Sequence, residues 1–358
     1  MNFLDQIRQP VAVELDRYRE LFEETLTHED DYLGRALAYV RSRKGKMMRP
    51  LLVLLIAREC GPVAESTYRA AVTLELLHTA SLVHDDVVDE SDERRGQASA
   101  NSVYGNQIAV LVGDYILSLS LQQAARTGSL PCVEIIATLG ATLSEGEVFQ
   151  LANVRNEQAN EDDYFHVIDR KTAALFAACG ELAALTAGAD ASFVENARRF
   201  GAYIGICFQI RDDIFDYFSD SAIGKPTAND MAEGKLTLPA LYALRQTDDP
   251  AVHALAARIK AREASPDDIL RMVAFTKENG GIEYATKRMK QSPFGKLQRE
   301  RGSYVLIYRL LSSRSRPLQN GALFHCSQSI PNTQKRGCTR PVQPLRFCGD
   351  GRGEGERP

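Results

Sequence analysis

The sequence predicts an all-α helix bundle with its site in the middle. Three observations carry that reading. Helical periodicity runs almost unbroken to about position 290. Alternating strand patterns and hairpin signals are absent. Two aspartate-rich stretches each gather their carboxylates on one helical face, as bundles do when they build a site between helices.

Taken in order, residues 11–26 and 31–43 read as amphipathic helices, and 51–60 starts just after Pro50, a residue tolerated in a first turn. Its run LLVLLIA is the longest aliphatic stretch and falls far short of the ~20 residues of a membrane span. The next helix carries LELLHTASLVHDDVVDESDERRG, residues 74–96, and Ser66 is its predicted cap. Helices follow over 102–126, 131–153, 162–187 and 192–218, then shorter ones over 238–245, 251–262 and 266–278. No repeat of fixed period is present.

Composition is that of an ordinary globular chain: 358 residues, 44% hydrophobic and 25% charged, enough for one large domain or two small ones. The formal net charge of −4 is unevenly spread. From Gln291 onward there are 12 Lys/Arg against 4 Asp/Glu, which leaves 31 basic and 43 acidic residues before it. An acidic body of that kind argues against nucleic-acid binding. The opening MNFLDQIRQP has no basic stretch followed by an apolar core, so it is not read as a secretory signal. Seven cysteines form no CxxC pair and no Cys/His cluster, which points to free thiols in a reducing, cytoplasmic setting.

On a helix, His78, Ser81, Asp85 and Asp89 share an arc of about 80°, while Leu76, Ala80, Val83 and Val87 form a separate apolar stripe. Asp85 and Asp89 suit a hard cation such as Mg²⁺. Alone, this reads equally as a solvated acidic helix end. The geometry returns at QIRDDIFD, where Gln209, Asp212, Asp213 and Asp216 share an arc of about 100°. Two such faces across one cavity fit several Mg²⁺ ions and a highly anionic ligand, for which diphosphate is the natural candidate.

Cations complete the pattern. Lys46 and Arg49 are three apart beside Gly45, a spacing for a second phosphate group whose plainer reading is a basic linker. Lys171 and Thr172 interrupt an apolar helix, so the lysine either snorkels to the surface or faces an internal anion. Lys225 and Lys235 each follow a glycine beyond the second aspartate face, as loop cations closing on a phosphate or as exposed loop residues. His78 shares the Asp85 face and is read as facing an anion; His84 lies off it and is read as structural.

The motifs GKMMRP, LLHTASLVHDDVVDESDERRG, the KT pair, FQIRDDIFD and GKPTANDMAEGKLTLP, in this order over residues 1–290, resemble the trans-polyprenyl diphosphate synthases, and the long-chain, octaprenyl diphosphate synthase-like branch in particular. The resemblance implies an isoprenoid synthase-type helix bundle with a central active-site cavity. It also implies condensation of an allylic diphosphate with successive isopentenyl diphosphates to an all-trans product, and a homodimer. By this resemblance Asp85, Asp89, Asp212 and Asp216 hold Mg²⁺, three ions with the allylic diphosphate. Arg94, Lys171, Thr172, Gln209, Lys225 and Lys235 contact that diphosphate. Lys46, Arg49, His78 and Arg95 hold isopentenyl diphosphate. Met47 departs from the arginine many relatives carry there.

Chain length is read from the same helix. Short-chain members of the family block the product tunnel with aromatic residues four or five positions before the first aspartate. Ser81 and Ala80 stand there and are small, so a long product is expected, of the kind used in quinone side chains, with Leu77 and Leu74 as its floor. Residues 291–358, rich in Arg, Ser, Pro and Gly, do not continue the pattern. They are read as disordered apart from a short helix over 303–311, and as a shifted reading frame or fusion in place of a last helix. Two rivals stand beside the synthase. A class I terpene cyclase has no use for the second cationic pocket, and a non-catalytic partner subunit would lack the aspartates.

Overall fold

The computed structural model describes residues 3–42, 45, 47–94, 96–154, 160–218 and 228–291. Lys46, Arg95, Lys225 and the whole tail beyond Gln291, with the helix expected over 303–311, lie outside the described residues. What is described is helix after helix: α1 (Phe3–Arg8), α2 (Ala12–Thr25), α3 (Asp31–Ser42), α4 (Met48–Cys60) and α5 (Glu65–Val88). After a two-stranded hairpin come α6 (Ala100–Tyr104), α7 (Asn106–Arg126), α8 (Leu130–Val154), α9 (Glu161–Ile168), α10 (Ala174–Thr186) and α11 (Ala191–Phe215). The shorter α12 (Asn229–Ala232), α13 (Leu238–Leu244), α14 (Pro250–Lys260), α15 (Pro266–Glu278) and α16 (Gly281–Gln291) follow.

The all-α prediction therefore holds, with local departures. Helix α5 begins one residue before Ser66, and its cap, Ala64, makes no side-chain bond. The Ser66 hydroxyl instead reaches the Thr186 carbonyl at 3.5 Å, so it ties α5 to α10. The hairpin, β1 (Glu93–Arg94) paired antiparallel with β2 (Gln97–Ala98), is too short to show alternation in sequence. The helix predicted over 162–187 is interrupted at Asp169–Ala173 by a π turn, which places Lys171 and Thr172 on a local bulge.

Helix α5 is central, packing against α7, α4, α10 and α2. Its apolar stripe Leu76, Ala80 and Val83 is buried, as is Leu74. One large core spans α2 to α11, and a second cluster joins α14 and α15 around Ile259 and Met272. The π turn and the start of α10 meet α11 closely because Gly205 faces them: a Cβ there would stand 2.6 Å from Ala173 Cα and 3.2 Å from Phe176 Cβ. His84 fills the space opposite Gly113 and reaches the Val110 carbonyl at 3.2 Å.

By length and composition alone α7 is apolar enough to cross a membrane, although no unbroken aliphatic run marks it. It lies along α5 with Val112 and Ile116 buried, and leaves Val110, Leu111 and Leu121 exposed. Since a Cβ at Gly205 would meet backbone, Gly205→Ala is expected to destabilise the fold by about 1–3 kcal/mol. The urea unfolding midpoint would drop accordingly.

Candidate active site

The first acidic end sits at the C-terminus of α5, where the negative end of the helix dipole adds to its own carboxylates. Burial pushes the Asp85 carboxyl up to about 6; Lys171 opposes the shift, while Glu147 and Asp89 add to it. Lys171 stands between these groups, paired with Glu147 and donating to Gln150 Oε1 at 3.2 Å. Asp89 caps the helix and receives Lys235 Nζ at 3.3 Å on Oδ2. Its Oδ1 is buried and finds no hydrogen-bond partner among the described residues. Asp86 is fully buried and takes the Arg94 guanidinium, carried back over α5 by the hairpin.

The second acidic end is the C-terminus of α11, with the same dipole penalty. Asp213 is buried and accepts from Tyr164 OH at 2.6 Å and from Gln209 Nε2 at 2.8 Å. Thr172 Oγ1 donates to Gln209 Oε1 at 2.7 Å, which links the π turn to this helix. Burial raises the carboxyl pKa values of both Asp213 and Asp230, and the neighbouring charge of Asp216 adds to each. Asp216 itself accepts the backbone N–H groups of Asn229 and Asp230, each at 3.1 Å, and so anchors α12.

A cavity of about 250 Å³ unites much of this: Lys171, Thr172, Gln209 and Lys235 line it together with Asp213 and Asp230. Lys171 and Lys235 also answer Asp85 and Asp89, so two cations join the two acidic ends. A larger cavity of about 470 Å³ lies on the next face of α5, lined by His78, Arg94, Arg19, Arg41, Tyr18 and Phe22 among others. Arg49 does not line it. It is nearly buried, 3.8 Å from Glu75 and with its guanidinium 5.7 Å from the Phe176 ring centroid. Asp212 is exposed at the end of α11. Ala80, Leu77 and Leu74 are buried, Ser81 is half-buried with its hydroxyl on the His78 carbonyl at 2.9 Å, and none of the four lines either cavity.

Several participants escaped the sequence reading. Glu147 and Gln150, three apart on one helix, were a legible signal. Asp230 had no periodic partner, and Tyr164 looks like any core aromatic until its hydroxyl is seen on Asp213.

Among the described residues no three His, Cys, Asp or Glu side chains are grouped closely enough to cage a metal. That suits Mg²⁺, which is commonly held by one or two carboxylates together with substrate phosphates. The donors fit the ion: the orphaned Asp89 oxygen and carboxyls pushed up by burial all call for positive charge.

The polyprenyl synthetase family profile matches residues 30–275. The chain belongs to the polyprenyl synthetase family. It is accordingly a prenyltransferase, with the all-α fold of that family. An octaprenyl diphosphate synthase of Haemophilus influenzae is 36% identical over 291 residues, 80% of this chain and 88% of that one. A geranylgeranyl pyrophosphate synthase from Bacteroides thetaiotaomicron superposes with a TM-score of 0.72 at 47% identity, covering 85% of this chain and 96% of that one. A polyprenyl synthase from Caulobacter crescentus CB15, in complex with calcium and isoprenyl diphosphate, superposes with a TM-score of 0.78 at 28% identity, covering 86% and 95%.

With its carboxyl pKa raised, Asp85 is protonated below about 6 and charged above it. Joint binding of Mg²⁺ and inorganic pyrophosphate is therefore expected to weaken as pH falls through that value, by up to about tenfold per unit. Calorimetric titration at a series of pH values checks this, and Asp85→Asn should flatten the profile.

Proposed function

We propose that this prenyltransferase condenses an allylic diphosphate with successive isopentenyl diphosphates to give a long-chain all-trans polyprenyl diphosphate. One observation carries the proposal: Lys171 and Lys235 link both acidic helix ends at a single cavity. Lys171, Thr172, Gln209 and Lys235 bind the allylic diphosphate, with Lys225 completing the set; Arg94, expected there from the resemblance, instead lines the larger cavity on Asp86. Asp85, Asp89, Asp212 and Asp216 would hold Mg²⁺, which when bound draws charge from the diphosphate as a Lewis acid. The calcium in the Caulobacter relative supports a divalent cation at such a site.

The lysines balance negative charge as it builds on the departing pyrophosphate, so they favour cleavage of the allylic C–O bond. Buried helical walls keep water from the resulting allylic cation. Isopentenyl diphosphate, held on the side of His78, Lys46 and Arg95, with Arg49 behind them on Glu75, offers its double bond to that cation. A new C–C bond forms, and a proton leaves to the pyrophosphate. The product is one isoprene unit longer and again an allylic diphosphate.

Small Ser81 and Ala80 support a long product, as does the octaprenyl relative. A second reading, a product of geranylgeranyl length, is favoured by the 47% identical relative and by the burial of Leu77 and Leu74. We place the enzyme in the cytoplasm as a homodimer. The exposed Val110, Leu111 and Leu121 on α7, with Val148 and Leu151 on α8, support a cover from a second copy.

The test is incubation with farnesyl diphosphate, labelled isopentenyl diphosphate and Mg²⁺, followed by chromatography of the dephosphorylated products. A ladder ending at a long polyprenol is expected; an end at geranylgeraniol selects the second reading, and unincorporated label refutes the condensation. Asp85→Ala and Lys235→Ala should each lower kcat/KM by about 10²–10³-fold.

A further inference from the structure

The end of α14 reaches the first acidic helix end. Arg262 lies just beyond that helix, and its Nη2 stands 3.9 Å from Asp89 Oδ1 while Lys235 holds Oδ2 at 3.3 Å. Its Nε donates to the Glu233 carbonyl at 3.1 Å, which fixes the side chain across the 233–235 turn. Gly234 leaves the room: a Cβ there would meet Arg262 Cγ and the Lys260 carbonyl, each at 3.1 Å. Lys260, from the same helix end, lines the 250 Å³ cavity beside Lys235.

The backbone makes this arrangement unusual. The Arg262 N–H bonds the Ile259 carbonyl at 2.9 Å, and the Glu263 N–H bonds that of Arg258 at 2.9 Å. This is the double bond of a helix ending in which the turning residue takes the left-handed conformation, and glycine is the usual occupant. Here Arg262 holds φ 59. A long cationic side chain stands where local conformation favours none, and it is aimed at a candidate metal-binding carboxylate.

We propose that Arg262 is a substrate-binding residue whose guanidinium, resting on Asp89, engages the allylic diphosphate together with Lys235. The inference rests on the synthase reading for its substrate. Its chemistry, recognition of a diphosphate by a guanidinium, applies to any ligand of that class. In the free protein the two cations compensate Asp89 from opposite oxygens. A divalent cation on Asp89 would take over that compensation, and both side chains would then be available to phosphate oxygens.

Arg262→Gly separates binding from architecture, because glycine suits the backbone of that turn. The expected result is an unfolding midpoint unchanged or raised, with KM for the allylic diphosphate increased about 10- to 100-fold. KM for isopentenyl diphosphate should stay within about twofold, and Arg262→Lys should recover part of the loss. Calorimetry with inorganic pyrophosphate and Mg²⁺ should show the same weakening without any turnover. Unchanged pyrophosphate affinity and allylic KM would overturn the proposal, as would an equal rise in both KM values accompanied by a lower midpoint. Should the wild-type chain make no prenyl product, the synthase reading fails, and the pyrophosphate titration of both proteins still decides the role of Arg262.

Discussion

Repulsion between carboxylates is the constraint on which this structure depends. Asp85, Asp86 and Asp89 close one helix, Asp212, Asp213 and Asp216 close another, and both groups sit at the negative end of a helix dipole. Neither end is tolerable without compensation in a partly buried setting. The compensating charges come from elsewhere in the chain: Lys171 from a π turn, Lys235 from the turn after α12, and Arg94 from a hairpin. The irregular pieces of an otherwise regular bundle are thus the pieces that serve its charged centre.

Division of labour between the two cavities follows from the geometry of α5. Asp85 and Asp89 face Lys171 and Lys235, while Glu75, Thr79 and Asp86 look a quarter turn away towards α2 and α3. His78 shares the helical phase of Asp85 and Asp89 two turns away, yet at its depth it lines the larger cavity. Helix α5 therefore carries acidic groups on both faces, and the arginines and aromatic rings that meet them in the larger cavity come from α1, α2, α3 and the hairpin. Two anionic substrates can be held side by side, with a single rigid element setting their separation.

Much of this was legible in the sequence, for a definite reason. Long helices repeat their pattern over many residues, so α5, α7, α8 and α11 were visible, and carboxylates four apart on a helix necessarily share a face. Contacts between elements carry no such periodicity. Ser66 looked like a cap and proved to be a tie to Thr186. Arg49 had the spacing of a phosphate ligand, yet it lies against Glu75 and Phe176, which only tertiary packing could reveal. Tyr164 joins the site through its bond to Asp213, Asp230 through Asp216, and Arg262 through a turn that joins residues far apart in the chain. The π turn was also hidden, since it alters phase without altering composition.

The hydrogen bonds that run from Thr172 through Gln209 to Asp213 have a direction. The Thr172 hydroxyl gives its proton to the Gln209 oxygen, the Gln209 amide gives one to Asp213, and Tyr164 gives another to the same carboxylate. Every arrow ends on one acid, so the path has a sink and cannot reverse unless the amide turns over. A donor on one side and an acceptor on the other thus fix the Gln209 amide in one orientation, its oxygen towards the π turn and its nitrogen towards Asp213. A side chain held in that way offers the cavity a defined pattern of polar atoms in place of one that any ligand could rearrange.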